Sequence, residues 1–226
     1  MANTRLRPGR SLFAGTARPR VGMLLAGCAI LVAVLGVLFA HQSTADGFDR
    51  AVDSPVIGWF GGRGHIALWL AYPGTTIPAV AVSAVIVVAC LLTGRLRGAA
   101  LAAAAVPVAV GVSEVLLKPL VHRTYIDQVV YPSGHPAAIF ALAATVTVLL
   151  LAPPRPPAAL WVPAVTAAYV IAAAVVIGVI GVRFHYFTDT VAGAAVGTGT
   201  VCALALLADL IPAVRPSRIP RRSAAS

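Results

Sequence analysis

The sequence predicts an all-α polytopic membrane protein, with six transmembrane helices gathered in a bundle. Three observations carry that prediction. The composition is 59% hydrophobic and only 11% charged, with a mean hydropathy of +0.92, too apolar to cover a soluble chain of 226 residues with polar surface. The apolar residues fall in runs of about 20 without strict alternation, the length of a helix crossing ~30 Å of hydrocarbon rather than of a barrel strand. Arginines gather in the tails and the short connections between runs, as in segments held at a membrane face.

The first span is VGMLLAGCAILVAVLGVLFA, residues 21–40. It is longer than the apolar core of a secretory signal and lacks a small-residue cleavage site before His41, so it reads as a retained span. Residues 41–74 read as an outer loop holding Asp46, Asp49, Asp53, Trp59 and Phe60. A short interfacial helix is expected there, with Trp59 and Phe60 at headgroup depth. The remaining spans fall at residues 75–93, 98–117, 137–152, 162–182 and 189–210. Their abundant Ala, Gly and Val suit close helix contact through small side chains. Cys28, Cys90 and Cys202 all lie inside apolar runs, without a paired spacing for zinc or a disulfide, and are expected as three buried thiols. The membrane domain is thus residues 21–210. Basic tails at 1–20 and 211–226, rich in Arg, Pro, Ser and Ala, are expected to be largely disordered.

Charge orients the bundle. Twelve of the seventeen basic residues (Arg5, Arg7, Arg10, Arg18, Arg20, Arg95, Arg97, Arg155, Arg215, Arg218, Arg221 and Arg222) share one side of a six-span topology. Arg50, Arg63, Lys118, Arg123 and Arg183 share the other. The positive-inside rule puts both termini in the cytoplasm of a multi-pass cell-membrane protein. A net charge of +10 does not point to nucleic acid, because the arginines are divided among short juxtamembrane segments with no aromatic platform beside them. Anionic membrane lipids are the expected contact.

The unusual polar residues converge on the outer side. Lys118, the single lysine beside sixteen arginines, and Arg123 follow the third span. Ser133, Gly134 and His135 precede the fourth, and Arg183, His185 and Asp189 join the fifth to the sixth. Cationic side chains, a Ser-Gly turn at a helix start and two histidines suit a phosphate. Gly134 lets backbone amides approach an anion, and a helix N-terminus offers unpaired N–H donors. Lys118, Arg123 and Arg183 are placed to neutralise phosphate oxygens as charge builds. Asp189 stands at i+4 from His185, a spacing that lets a carboxylate hold one ring N–H if the segment is helical and leaves the other nitrogen as nucleophile. His135 is placed to protonate a departing oxygen. Glu114, at i−4 from Lys118, reads as an ion-pair partner, with a proton relay as the alternative; His122 reads as a solvated loop residue, Asp127 as solvated in preference to shaping substrate entry, and Asp209 as lying near the inner interface.

The blocks KPLVHRT, PSGH and RFHYFTD, in this order and each on the outer side, resemble the three signature blocks of the type 2 phosphatidic acid phosphatase family, related to the vanadium haloperoxidases. The resemblance spans about residues 118–193 and implies an active site at the outer membrane interface. It implies phosphate binding by Lys118, Arg123, Ser133, Gly134 and Arg183, proton donation by His135, attack by His185 through a phosphohistidine, and orientation by Asp189. Two spacings depart from the pattern. The family's first block runs Lys, six residues, Arg-Pro, whereas Arg123 follows Lys118 after four and precedes Thr124. The third block runs Ser-Arg, five residues, His, whereas one residue separates Arg183 from His185.

The substrates implied are lipid phosphates and diphosphates: a polyprenyl diphosphate, phosphatidic acid or phosphatidylglycerol phosphate. No metal or other cofactor is required, since the cations are side chains and no carboxylate cluster stands ready for magnesium. A phosphotransferase using the same phosphohistidine remains an alternative, as does a non-catalytic transporter or scaffold. The latter needs ionisable residues across the spans, and the sequence offers no such chain. A haloperoxidase is disfavoured by the lack of a large soluble domain. Oligomeric state is not legible.

Overall fold

A computed structural model describes residues 11–13 and 15–211, which form an α-helical membrane bundle. Six segments are long and apolar enough to span: Gly15–Phe39, Gly64–Leu92, Leu96–Val121, Gly134–Leu151, Ala158–Gly181 and Phe187–Leu210. All six expected spans are present, with displaced boundaries. The second span is built from two helices, α3 (Gly64–Ala71) and α4 (Thr76–Leu92), joined by a 3-10 turn at Tyr72–Gly74. Pro73 has no N–H to continue the α-helical ladder there. The expected outer loop at 41–74 is therefore shorter, and most of it is a helix, α2 (Gly47–Trp59), capped by the Asp46 side chain accepting from the Asp49 N–H at 2.7 Å. Of the two aromatics expected at headgroup depth, Trp59 is exposed but Phe60 is buried, lying against Gly181 at the end of the fifth span.

The first span is α1 (Arg18–Phe39), the third begins as α5 (Leu96–Gly111), and the last three are α7 (Gly134–Leu151), α8 (Ala158–Gly181) and α9 (Phe187–Leu210). Helices α7 and α9 are the inner pair, and α9 also packs along α1. Their closeness depends on two glycines one turn apart. A Cβ at Gly193 would meet the Ser133 carbonyl, and one at Gly197 would meet the Ala137 carbonyl, so only hydrogen lets these backbones touch. The outer helices turn Val37, Ile77, Leu92 and similar side chains outward, as a lipid-facing surface should.

The end of the chain opposite the three loop blocks is closed by a carboxylate. Asp209 accepts from the Leu12 N–H at 2.7 Å, the Phe13 N–H at 2.9 Å and the Ser11 hydroxyl at 2.6 Å. Arg97 and Arg18 approach it at 3.5 and 3.7 Å. The expectation of a disordered N-terminal tail thus fails for Ser11–Phe13, where Leu12 and Phe13 give their backbone N–H groups and Ser11 its hydroxyl to this one side chain, and for residues 15–20, which wind into a 3-10 turn and the start of α1. Residues 1–10, 14 and 212–226 of the two tails lie outside the described residues. The cysteines are unpaired, Cys90 and Cys202 buried and Cys28 half-buried.

Candidate active site

The third span is not α-helical to its end. Residues Val112–Leu117 wind as a π-helix and pass into the short α6, Lys118–Val121. Such bulges re-aim side chains within a helix. Here Glu114 and Lys118 form an ion pair at 2.7 Å at the helix end. The chain then turns sharply at His122, in the left-handed region at φ 50°. It makes a two-residue hairpin, β1 (Thr124–Tyr125) against β2 (Gln128–Val129), whose central Ile126 and Asp127 both have positive φ, the geometry such tight hairpins favour. His122 and Asp127 are exposed, as expected.

A cavity of about 620 Å³ opens between this hairpin, the start of α7 and the loop joining α8 to α9. Lys118, Gly134, His135, Arg183 and His185 all line it, together with Glu114 and Tyr125. Five of the eight expected site residues are therefore brought to one cavity. Arg183 reaches it from a left-handed backbone position, φ 60°. His185 is nearly buried, its side chain 9% exposed. Burial, reinforced by the positive charge of Lys118 and by His135, pulls its imidazole down to about 3, so the ring is neutral at ordinary pH.

The other three lie beneath the cavity. Ser133 is fully buried, its N–H donating to the Asp189 carbonyl at 3.0 Å and its hydroxyl without a partner. Arg123, expected to contact phosphate, is instead 0% exposed. Its guanidinium donates to Asp189 Oδ1 and Thr188 Oγ1 at 2.7 Å each and to Asp49 Oδ2 at 2.5 Å. It lies between the rings of Phe39 and Tyr186, at 4.1 and 4.3 Å from their centroids. The reason is the shortened block: four residues after Lys118 the chain has already turned inward at His122, and the buried carboxylates hold the guanidinium there.

Asp189 lies 3.9 Å from His185 Nδ1, too far for a hydrogen bond. The expectation that it holds the ring assumed a helical segment. In the structure α9 begins only at Phe187, and the carboxylate is engaged by Arg123 and by the Tyr186 N–H at 3.1 Å. His185 Nδ1 is left buried and unpartnered.

Two further carboxylates complete this layer. Asp49 accepts from the Thr188 N–H at 2.9 Å, and Asp53 from the Phe187 N–H at 3.2 Å. Helix α2 thus caps the N-terminus of α9, where unpaired N–H groups and the helix dipole favour negative charge. Burial and the neighbouring Asp49 push the Asp53 carboxyl up to about 7. Sequence reasoning did not assign Asp49 and Asp53 to the site. The signal was present: positions 46, 49 and 53 recur at helical spacing.

A six-span bundle with histidines and cations under one end defines a polytopic membrane protein with a polar site among its helix ends. Residues 119–210, from α6 through α9, match the family model of the PAP2 superfamily. That match takes in the PSGH and RFHYFTD blocks and all but the first residue of KPLVHRT. No curated protein and no solved structure matches the chain.

Proposed function

We propose that the protein is an integral membrane lipid phosphatase that hydrolyses a phosphate monoester or diphosphate of a lipid through a phosphohistidine on His185. The observation that carries this reading is the meeting of Lys118, Arg183, His135 and His185 in one cavity. Lys118 and Arg183 bind the phosphate oxygens, and the Gly134 turn presents backbone at the start of α7. Neutral His185 attacks phosphorus through a ring nitrogen as the bond to the leaving oxygen breaks, and His135, entering as its imidazolium, gives that oxygen a proton. Water then attacks the phosphohistidine, returning its proton to His135 and releasing phosphate. Arg123 and Asp189 act below the reacting groups, by fixing the loop that carries His185.

A lipid rather than a soluble ester is supported by a second cavity of about 530 Å³ between α4, α5 and α7. Val80, Val106, Val110 and Ala138 give it apolar walls, and it shares Glu114, Gly134 and His135 with the first. An acyl or prenyl chain there would leave its phosphate at the histidines. The distribution of arginine supports an outer-facing site with both termini cytoplasmic.

The test is phosphate release by purified protein in detergent with chelator present, using polyprenyl diphosphate, phosphatidic acid and phosphatidylglycerol phosphate. Release by the wild type, inhibition by vanadate, and loss in both His185→Ala and His135→Ala are expected. A folded wild type that releases phosphate from none of these lipids would refute the hydrolase reading, and transfer to an acceptor would then be assayed.

A further inference from the structure

Glu114 places a negative charge where the proposed reaction needs an anion to bind. Its Oε2 accepts from the Lys118 ammonium at 2.7 Å. Its Oε1 lies over the turn that opens α7, only 2.6 Å from where a Cβ on Gly134 would stand. One carboxylate thus covers both the cavity's lysine and its glycine turn, and it stands at the junction with the apolar cavity. Its placement comes from the π-wound stretch, which closes on Lys118.

We propose that Glu114 is a specificity-determining residue that admits only a phosphate carrying a proton on one oxygen. The proposal rests on the phosphatase reading and narrows its substrate. A fully ionised phosphate on Lys118 and the Gly134 turn would stand against the carboxylate, and like charges at such close range repel. A singly protonated phosphate has no such conflict. Its P–OH donates to Glu114, a short charge-assisted hydrogen bond, while its ionised oxygens take Lys118 and Arg183. The carboxylate can only accept, so it selects a hydroxyl on phosphorus. Monoesters and the terminal phosphate of a diphosphate have one; a phosphodiester does not. The substrate phosphate of the proposed reaction is therefore bound in its partly protonated form.

Other groups in the cavity also titrate or carry charge: Lys118 from α6, Tyr125 from β1, His135 from α7, and Arg183 and His185 from the loop before α9. All remain in Glu114→Gln, and because the Glu114 charge also acts on the His135 imidazole, the comparison isolates the carboxylate at about pH 8.5, where that ring is neutral in both proteins.

The experiment measures direct binding of inorganic phosphate and of sulfate to the full chain in detergent, for wild type and Glu114→Gln, at about pH 5.5 and about pH 8.5. Phosphate loses its second proton across that range, whereas sulfate is a dianion throughout. Wild type should bind phosphate about tenfold more weakly at the higher pH and bind sulfate poorly at both. Glu114→Gln should bind phosphate about tenfold tighter than wild type at the higher pH, with the pH slope flattened. It should also take sulfate at both pH values. Phosphate binding by Glu114→Gln that is equal to or weaker than wild type at the higher pH, or unchanged rejection of sulfate, would overturn the proposal while leaving the phosphate site intact. No binding of either anion to either protein would overturn the phosphate site and this proposal together. Phosphate binding with the expected Glu114 dependence but without turnover would uphold the proposal and refute hydrolysis alone.

Discussion

Replacing Arg123 by alanine should unfold this protein sooner rather than weaken its grip on phosphate. The guanidinium is fully buried and is shared by Asp49, Asp189 and Thr188. Its loss leaves two carboxylates facing each other without a cation at the start of α9. Removing one partner of such a buried pair costs about 3–5 kcal/mol. At roughly 2–4 °C per kcal/mol for a chain of this size, Tm in detergent should fall by ~6–20 °C. The control is Lys118→Ala. Its partner Glu114 is 40% exposed, so stability should change by about 1 kcal/mol or less, while KM for the lipid phosphate should rise strongly. A double-mutant cycle of Arg123→Gln with Asp49→Asn should show a coupling of roughly 1–3 kcal/mol. The reasoning fails if Arg123→Ala keeps its Tm within the error of wild type and raises KM as Lys118→Ala does. That outcome would mean that the arginine leaves its carboxylates to bind substrate.

The same layer predicts two opposite pH dependences. Because the native state holds the Asp53 proton up to about 7, the stability from this group is complete below about pH 4 and is lost as pH rises through 7. Asp53→Asn keeps an acceptor for the Phe187 N–H without ionising, so thermal melts should show it gaining on wild type by a few °C between about pH 5 and pH 8; parallel curves would refute the assignment. His185 has the contrary sign. Its imidazole is held down to about 3, so its contribution is present above about pH 6.5 and fades as pH falls below that value. Nitrogen NMR of labelled histidine should find His185 neutral at about pH 5; an imidazolium there would contradict the buried geometry. Gly197→Ala drives a Cβ onto the Ala137 carbonyl, and overpacking of about 1–3 kcal/mol should lower Tm by roughly 2–12 °C. An unchanged melt would show that α7 and α9 can separate without cost.

The six spans were legible because membrane insertion imposes one long apolar run per crossing, a signal that needs no tertiary information. What the sequence hid was short and context-dependent. Residues 64–74 read as loop because Gly64, His65, Tyr72, Pro73 and Gly74 interrupt the apolar pattern, yet Ala67 and Ala71 are buried in the structure and α3 packs on α8. Ser11–Phe13 read as tail because their partner, Asp209, lies almost 200 positions away in sequence. The site residues were legible as types. Their depth was not, since burial depends on where a helix stops, and a change of two residues moves a side chain from cavity to core.

Arg123 and Tyr125 show this displacement most clearly. In the block that the sequence resembles, an arginine stands seven positions after the lysine; here that position is Tyr125, and it is Tyr125 that lines the cavity. Arg123, two residues earlier, points inward from the turn at His122 and becomes the cation that Asp49 and Asp189 require. In the third block the expected arginine position falls at Val179, which is fully buried among the helices, while Arg183 approaches from the loop. The cavity therefore keeps the two histidines and two cations, Lys118 and Arg183, but has lost one to the layer below and holds a carboxylate of its own. Its positive charge is smaller than three cations alone would give. A site of lower charge has less reason to prefer a fully ionised phosphate, so the relocation of Arg123 and the presence of Glu114 act in the same direction, toward a substrate phosphate that retains a proton.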